Sequence, residues 1–305
     1  MYDLIGDIHG HAAALEQLLR KMDYAEVDGI WQHPERQVVF VGDYIDRGPS
    51  IRRTLQIVHS MVEAGRALAL MGNHEYNALA YAWAKPDGGH LRAHNSMHRH
   101  QHKATLEQFS DYSGEWDGYL QWFYSLPLFV ELRGLRAVHA CWDDEHVQWL
   151  KQQGYTTMTP ELLVASHVKG TGAYRAINDI LKGKEFNIPE EYVWHDKDGH
   201  ARTNNRIRWW VEADTALYGD FLFNCPEGMR DRMIEEEVAY VVYPREAPPV
   251  FFGHYWMEDP TPVVQAHNVV CLDYSIAKGG ALVAYRWQGE QQVDERHFVS
   301  VAYQP

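Results

Sequence analysis

Aspartate, asparagine and histidine recur in this sequence directly behind short apolar runs. Asp7 and His9 follow YDLIG, Asp43 and Asp46 follow QVVFVG, and Asn73 and His74 follow ALALMG. Farther on, His139 follows LRAV and His254 follows PVFFG. Carboxylate, amide oxygen and imidazole are hard and borderline donors that suit manganese, iron or zinc better than calcium or a thiolate zinc site. Asp7, His9, Asp43, Asn73, His139 and His254 together exceed the four ligands of a single tetrahedral centre, so two metals sharing one carboxylate is the economical reading. Any one of these residues alone reads as a helix cap or a hydrogen-bonded core histidine. Their recurrence at one strand end after another points to a site.

The elements that must carry them are legible as well. YDLIGD reads as a buried strand, and Leu15, Leu18 and Leu19 give the stretch from Ala12 to Met22 helical spacing. QVVFVGD reads as a second strand, followed by a helix from Ser50 with Ile51, Leu55, Val58 and Val62 on one face and Gly65 as its stop. ALALMGN, LRAVHAC and PVFFGH read as three more strands. The stretch NVVCLDYSIAKGGALVAYRW predicts two strands joined by a Gly-Gly turn. Alternating strands and helices bring loops together outside the carboxyl ends of the strands, where ligands bind in open α/β sheets. The stretch 150–245, mixed in charge and rich in aromatics, predicts an insertion or cap within a single domain spanning 1–305.

Composition narrows the partners. The 305 residues carry 28 basic and 42 acidic side chains, a net charge of −14, with 46% hydrophobic residues. Global disorder is excluded, and so is a basic surface built to coat long nucleic acid or an anionic membrane. A small phosphorylated substrate is not, because one pocket can be positive on a negative protein. No apolar run approaches the ~18–20 residues of a membrane span. Three cysteines without CxxC spacing suit a reducing compartment, and MYDLIGDIHG has no signal-peptide pattern, so a cytoplasmic location is expected. There is no P-loop, and HEYNA lacks the second histidine of HExxH. Nothing in the sequence specifies an oligomer.

GDIHG from Gly6, GDYIDRG from Gly42 and GNHE from Gly72 resemble, in order, the three signature motifs of the calcineurin-like metallophosphoesterases. They look most like the bacterial branch holding phosphoprotein (serine/threonine) phosphatases and diadenosine tetraphosphatase-like enzymes. VHA at Val138 and GH at Gly253 resemble that branch's later metal-histidine motifs. The resemblance implies an α/β fold, a four-layer α/β/β/α sandwich of two mixed sheets with flanking helices. It implies Asp7 and His9 on one metal, Asn73, His139 and His254 on the other, and Asp43 bridging both. Two divalent transition-metal ions are implied, manganese first, with iron, zinc, nickel or cobalt as alternatives. Ions ~3.5–4 Å apart can share a water acidified to hydroxide near neutral pH, which attacks phosphorus in line. The resemblance makes His74 the general acid and Asp46 the residue that orients it, and Arg47 offers a fork for phosphate oxygens.

Substrate class divides by finer marks. The full GDYIDRG favours a serine/threonine-phosphatase-like enzyme acting on a phosphorylated protein or peptide. The resembling dinucleoside-tetraphosphatase branch commonly lacks the acid at the Asp46 position and has aspartate where this chain has Glu75. A diadenosine polyphosphate or other nucleotide hydrolase is therefore the alternative, and a non-catalytic scaffold for a phosphorylated ligand is an alternative of another class. Among weaker features, His90, His94, His98 and His102 fall at i+4 steps, with His100 beside them, and would share a face if helical. A solvated or partly packed helix face near the active site is favoured over a further metal site, because no acidic or thiolate partner is interleaved. Cys141, Asp143 and His146 read as loop residues beside the metal ligand His139. Arg202, Arg206 and Arg208, near Trp209 and Trp210, read equally well as phosphate contacts or as cap packing.

Overall fold

Side chains alternate along the strand Tyr2–Ile5, so Leu4 and Ile5 enter different packing layers. Leu4, Val39 and Val283 meet Leu135, Ala137, Phe251 and Val270 in a buried layer between two sheets. Ile5, Val38 and Phe40 instead join Leu15, Leu18 and Leu19 of the helix Ala12–Lys21, and Leu55 and Val58 of the helix Ile51–Glu63. On the far side, Val138, Val250 and Phe252 belong with Val147, Leu150, Ile177 and Ile180 of the helices Asp144–Gln152 and Gly172–Lys182. The result is the expected four-layer α/β/β/α sandwich. The computed structural model describes residues 1–195, 201–234, 238, 240–259 and 261–304, and of 194, 195 and 202 the backbone only.

The first sheet runs in the order Asp273–Tyr274, Ala281–Trp287, Tyr2–Ile5, Gln37–Phe40, Ala67–Ala69, with Phe298–Ala302 also paired to Ala281–Trp287. Tyr2–Ile5, Gln37–Phe40 and Ala67–Ala69 are parallel, while Ala281–Trp287 is antiparallel to Tyr2–Ile5. The second sheet runs Val269–Cys271, Val250–Phe252, Leu135–Val138, Phe129–Leu132, and its first three strands are parallel. Parallel strands open their carboxyl ends at a common edge, and that edge positions the polar residues.

Two sequence expectations need correction. The run NVVCLDY is not one strand. Val269–Cys271 belongs to the second sheet and Asp273–Tyr274 to the first, with Leu272 carrying the chain between the layers. The turn behind it also holds a 3-10 turn, Ile276–Lys278, ahead of the two glycines. Nor do the four spaced histidines share a helix face. The helix is Ser96–Gln108, because the Asn95 side chain accepts the His98 N–H at 2.8 Å and starts it there. His94 lies outside it, its ring stacked 3.7 Å from Tyr81 and 3.8 Å from His90.

A hairpin the sequence reading passed over pairs Ala25–Val27 with Ile30–Gln32 through Asp28 and Gly29, both at positive φ. Between Leu135–Val138 and Val250–Phe252 the described residues first form the two helices already named with Pro160–Ala165 between them. Two small ribbons follow, Glu185–Asn187 with Asn204–Arg206 and Trp194–His195 with Ala201–Arg202, and after them the short helix Tyr218–Phe221. Among the described residues, no helix is long and apolar enough to cross a membrane.

Candidate active site

Every strand-end residue singled out from the sequence comes to one place. Asp43, behind Gln37–Phe40, lies at the centre: its Oδ2 is 3.6 Å from His9 Nε2 and 3.9 Å from His74 Nε2, and its Oδ1 is 3.4 Å from His139 Nε2. Two sets of side chains could each hold an ion, His9–Asp43–His74 and Asp43–His139–His254, and Asp43 is common to both. Asn73 joins the second set, with Oδ1 3.1 Å from His139 Nε2. Asp7 reaches it through the His254 backbone N–H, which donates to Asp7 Oδ2 at 3.0 Å. All seven side chains are buried.

Close approach and strain explain the local sequence. A Cβ on Gly72 would lie 2.2 Å from Asp43 Oδ1, and one on Gly253 would lie 1.9 Å from Asp7 Oδ1. Only glycine lets those two loops reach the carboxylates. His9, Asp43, Asp46, Arg47 and His254 all adopt left-handed backbone, which costs of order 1–3 kcal/mol each for a non-glycine residue. Such strain gathers where the surrounding structure imposes a geometry on the site.

The donor set fits cations. His9 Nδ1 lies 3.0 Å from the Ile45 carbonyl and His139 Nδ1 2.8 Å from that of Val41, so each Nδ1 carries the proton and donates. Each Nε2 is then a lone pair turned toward the Asp43 carboxylate, the arrangement metal-binding histidines adopt. Burial holds both rings below their ordinary pKa, His9 down to about 4, so neither is an imidazolium paired with Asp43. Asp7 Oδ1, His9 Nε2 and both ring nitrogens of His254 are buried without a hydrogen-bond partner. Burial, then the charges of Asp273 and Asp43, push the Asp7 carboxyl well above its usual value. Acceptors facing acceptors in a dry site are costly unless a cation lies among them.

His74 is held differently. Its Nδ1 is 2.6 Å from Asp46 Oδ2. Burial opposes its charging, but the Asp43 charge and the Asp46 hydrogen bond outweigh it and lift its pKa to about 9. Asp46 Oδ1 accepts two further bonds, from His102 Nδ1 at 2.8 Å and Thr105 Oγ1 at 2.6 Å. Beside them lies a cavity of about 220 Å³, lined by Asn73, His74 and His254 and by Arg47, Arg92 and Arg206. The Arg47 guanidinium sits 5.5 Å from the Trp256 ring centre. Arg92 is fixed by two amides, donating to Asn77 Oδ1 at 3.0 Å and Gln101 Oε1 at 2.5 Å.

The weaker sequence features divide. Arg206 reaches the cavity and donates to the His254 carbonyl, whereas Arg208 donates to the carbonyls of Gly219, Asp220 and Leu222. Trp209 is core: its Nε1–H donates to the Ala140 carbonyl and its ring packs on Phe252. The Arg202 side chain lies outside the described residues. Asp143 caps a helix and pairs with Lys184, His146 pairs with Asp179, and Cys141 is buried. Sequence reasoning missed Arg92, which belongs to no motif, and the support given by Glu75. That carboxylate accepts the backbone N–H groups of Gly72, Asp43, Tyr44 and Ile45, and so ties two ligand loops together. The one visible sign of it was its place in GNHE.

The chain has relatives among known proteins. An asymmetrical bis(5'-nucleosyl)-tetraphosphatase of Oceanobacillus iheyensis is 28% identical over 144 residues, 45% of this chain and 54% of that protein. The chain thus spans about half the length of that relative. A symmetrical bis(5'-nucleosyl)-tetraphosphatase of Vibrio cholerae is 25% identical over 319 aligned positions, covering 99% of this chain and 98% of its own. A protein serine/threonine phosphatase of Saccharomyces cerevisiae shares the fold, with a TM-score of 0.52 at 15% identity, covering all of this chain and 79% of its own. The sequence profile of the calcineurin-like phosphoesterases matches residues 2–255, a stretch that contains all the converging strand ends. The chain belongs to the calcineurin-like phosphoesterase family.

Proposed function

We propose that this chain hydrolyses nucleotides or other small compounds bearing more than one phosphate, using a two-metal centre and His74 as general acid. Asp7, His9 and Asp43 would hold one divalent ion, and Asp43, Asn73, His139 and His254 the other, within one domain of residues 1–305. Manganese is the first candidate for an oxygen-and-imidazole set without thiolate. When bound, such ions supply Lewis acidity toward phosphoryl oxygens and acidify water. The chain's own residues do the rest. With Nδ1 fixed on Asp46, His74 presents Nε2 to the cavity, where it can protonate the leaving oxygen. The ions would take up much of the Asp43 charge, leaving Asp46 as the group that favours the imidazolium. Residues 150–245, read as an insertion, contribute Arg206.

The observation that carries the substrate class is the set of three guanidiniums. Among the described residues, Arg47, Arg92 and Arg206 have no carboxylate within ion-pair distance, whereas Arg36, Arg52, Arg136 and Arg286 each do. On a protein of net charge −14, unneutralised guanidiniums around one cavity favour a ligand with several anionic groups. The end-to-end likeness to a symmetrical bis(5'-nucleosyl)-tetraphosphatase supports the same reading. A phosphoserine or phosphothreonine substrate is the second reading, supported by the 2.6 Å contact between His74 and Asp46. An alkoxide leaves poorly and needs that proton more than a phosphate leaving group does.

The test is a rate comparison after chelation and manganese addition, on diadenosine tetraphosphate, mononucleotides, phosphoserine peptides and p-nitrophenyl phosphate. A kcat/KM at least about tenfold higher on the polyphosphate, a difference of about 1.4 kcal/mol, is expected. Preference for the phosphopeptide would move the assignment to the second reading. No metal-dependent turnover of any ester would leave only a phosphate-binding scaffold.

A further inference from the structure

Resting on the assignment of His74 as general acid, we infer that His102 is a positioning residue for that acid. It locks the Asp46 carboxylate from the side opposite His74. The two oxygens of Asp46 are shared between two histidines from different helices: Oδ2 meets His74 Nδ1 at 2.6 Å, and Oδ1 meets His102 Nδ1 at 2.8 Å. Asp46 is 3% exposed and His102 6%, so water does not substitute for either contact. Thr105 closes the arrangement, its hydroxyl donating to Oδ1 and accepting the Asp46 backbone N–H at 3.1 Å.

The helix Ser96–Gln108 delivers this support as a unit. His102, Thr105 and Gln108 recur at three-residue steps along one side. Gln108 accepts the Ile51 N–H at 2.6 Å and donates to the Gly48 carbonyl at 3.0 Å, so the helix also grips the loop where it runs on from Asp46 into the helix Ile51–Glu63. The mechanical consequence concerns carboxylate rotation. A buried carboxylate bonded on one oxygen alone can swing about its Cβ–Cγ bond and misdirect the imidazole it holds. With donors on both oxygens, any swing that releases His74 also breaks the His102 and Thr105 bonds. The histidine run, read as a solvated or partly packed helix face, thus has one member, His102, turned inward against Asp46.

The test measures kcat and KM separately for two monoesters, p-nitrophenyl phosphate with its good leaving group and an alkyl phosphate with a poor one. His102→Ala is expected to lower kcat on the alkyl ester by about tenfold or more, with a clearly smaller loss on p-nitrophenyl phosphate and little change in KM. His102→Asn keeps an N–H near the position of Nδ1 and should recover most of the lost kcat. Equal losses on both esters, a change in KM alone, or an Asn variant no better than Ala would overturn the inference. His74→Asn, run alongside, separates the two levels. If that variant shows no added sensitivity to the leaving group, the general-acid reading itself falls. If it does and His102→Ala does not, only the role of His102 falls.

Discussion

The two walls of the cleft are built by different means. On the side proposed to hold the metals, Asp7, His9, Asp43, Asn73, His139 and His254 each sit within a few residues of a strand's carboxyl end, on loops held in left-handed backbone or pressed against glycine. On the substrate side, Arg92, Gln101 and His102 come from a helix and the loop before it, and Arg206 from a two-stranded ribbon. The first wall is fixed by sheet register. The second is attached to it through side-chain bonds such as Arg92 to Asn77 and His102 to Asp46. On the proposed assignment a rigid edge carries the chemistry, and the added segments set what reaches it.

If this division holds, the largest loss follows from damage to the carboxylate that both candidate ion sets share. Asp43→Asn should lower bound manganese from about two equivalents to fewer than one, measured on the washed protein, and bring turnover below detection. Retention of two ions would show that Asp43 is not the shared ligand. His74→Asn comes next, with kcat falling about 10²–10⁴-fold on an alkyl phosphate while metal content stays at the wild-type value. A joint loss of metal and rate would instead make His74 a ligand. Its place beside His9 and Asp43 in one of the tight sets makes that outcome a real competitor.

The same division governs what could be read before the fold was seen. Asp7, Asp43 and Asn73 were legible because their meaning lies in spacing local to a motif, and strand alternation placed those motifs at one edge. His102 bonds a residue 56 positions away, and Gln101 supports an arginine whose own position carries no pattern. Contacts of that kind depend on how helices dock. The split of NVVCLDY between two sheets was hidden for a similar reason: an apolar run buried on both faces reads the same in either layer.

A gentler change probes the substrate wall alone. Arg92→Gln removes one of the three guanidiniums and leaves the metal ligands untouched. A charge-assisted hydrogen bond contributes about 1.5–3 kcal/mol, so kcat/KM on diadenosine tetraphosphate should drop about tenfold or more relative to that on p-nitrophenyl phosphate. An unaltered ratio would argue that Arg92 is structural and would weaken the polyphosphate reading.

The smallest effect expected is on stability, and it separates the walls by sign. Without cations, the metal wall holds unpartnered acceptors on Asp7, His9 and His254, together with the crowded carboxylates of Asp7, Asp43 and Asp273. An ion that binds this set and not the unfolded chain stabilises the fold by about 2.7 kcal/mol when its concentration is about 100 times Kd. For a chain of this size that corresponds to roughly 5 °C in Tm. Chelation should therefore lower Tm by about that amount, and manganese should restore it. Asp43→Asn removes charge from the crowd and should lose most of the response to manganese. Arg92→Gln should keep the full response, because its guanidinium rests on Asn77 and Gln101 rather than on any ligand. A manganese response equally reduced in both variants would mean that the two walls fold and bind as one unit, and the division drawn between them would not stand.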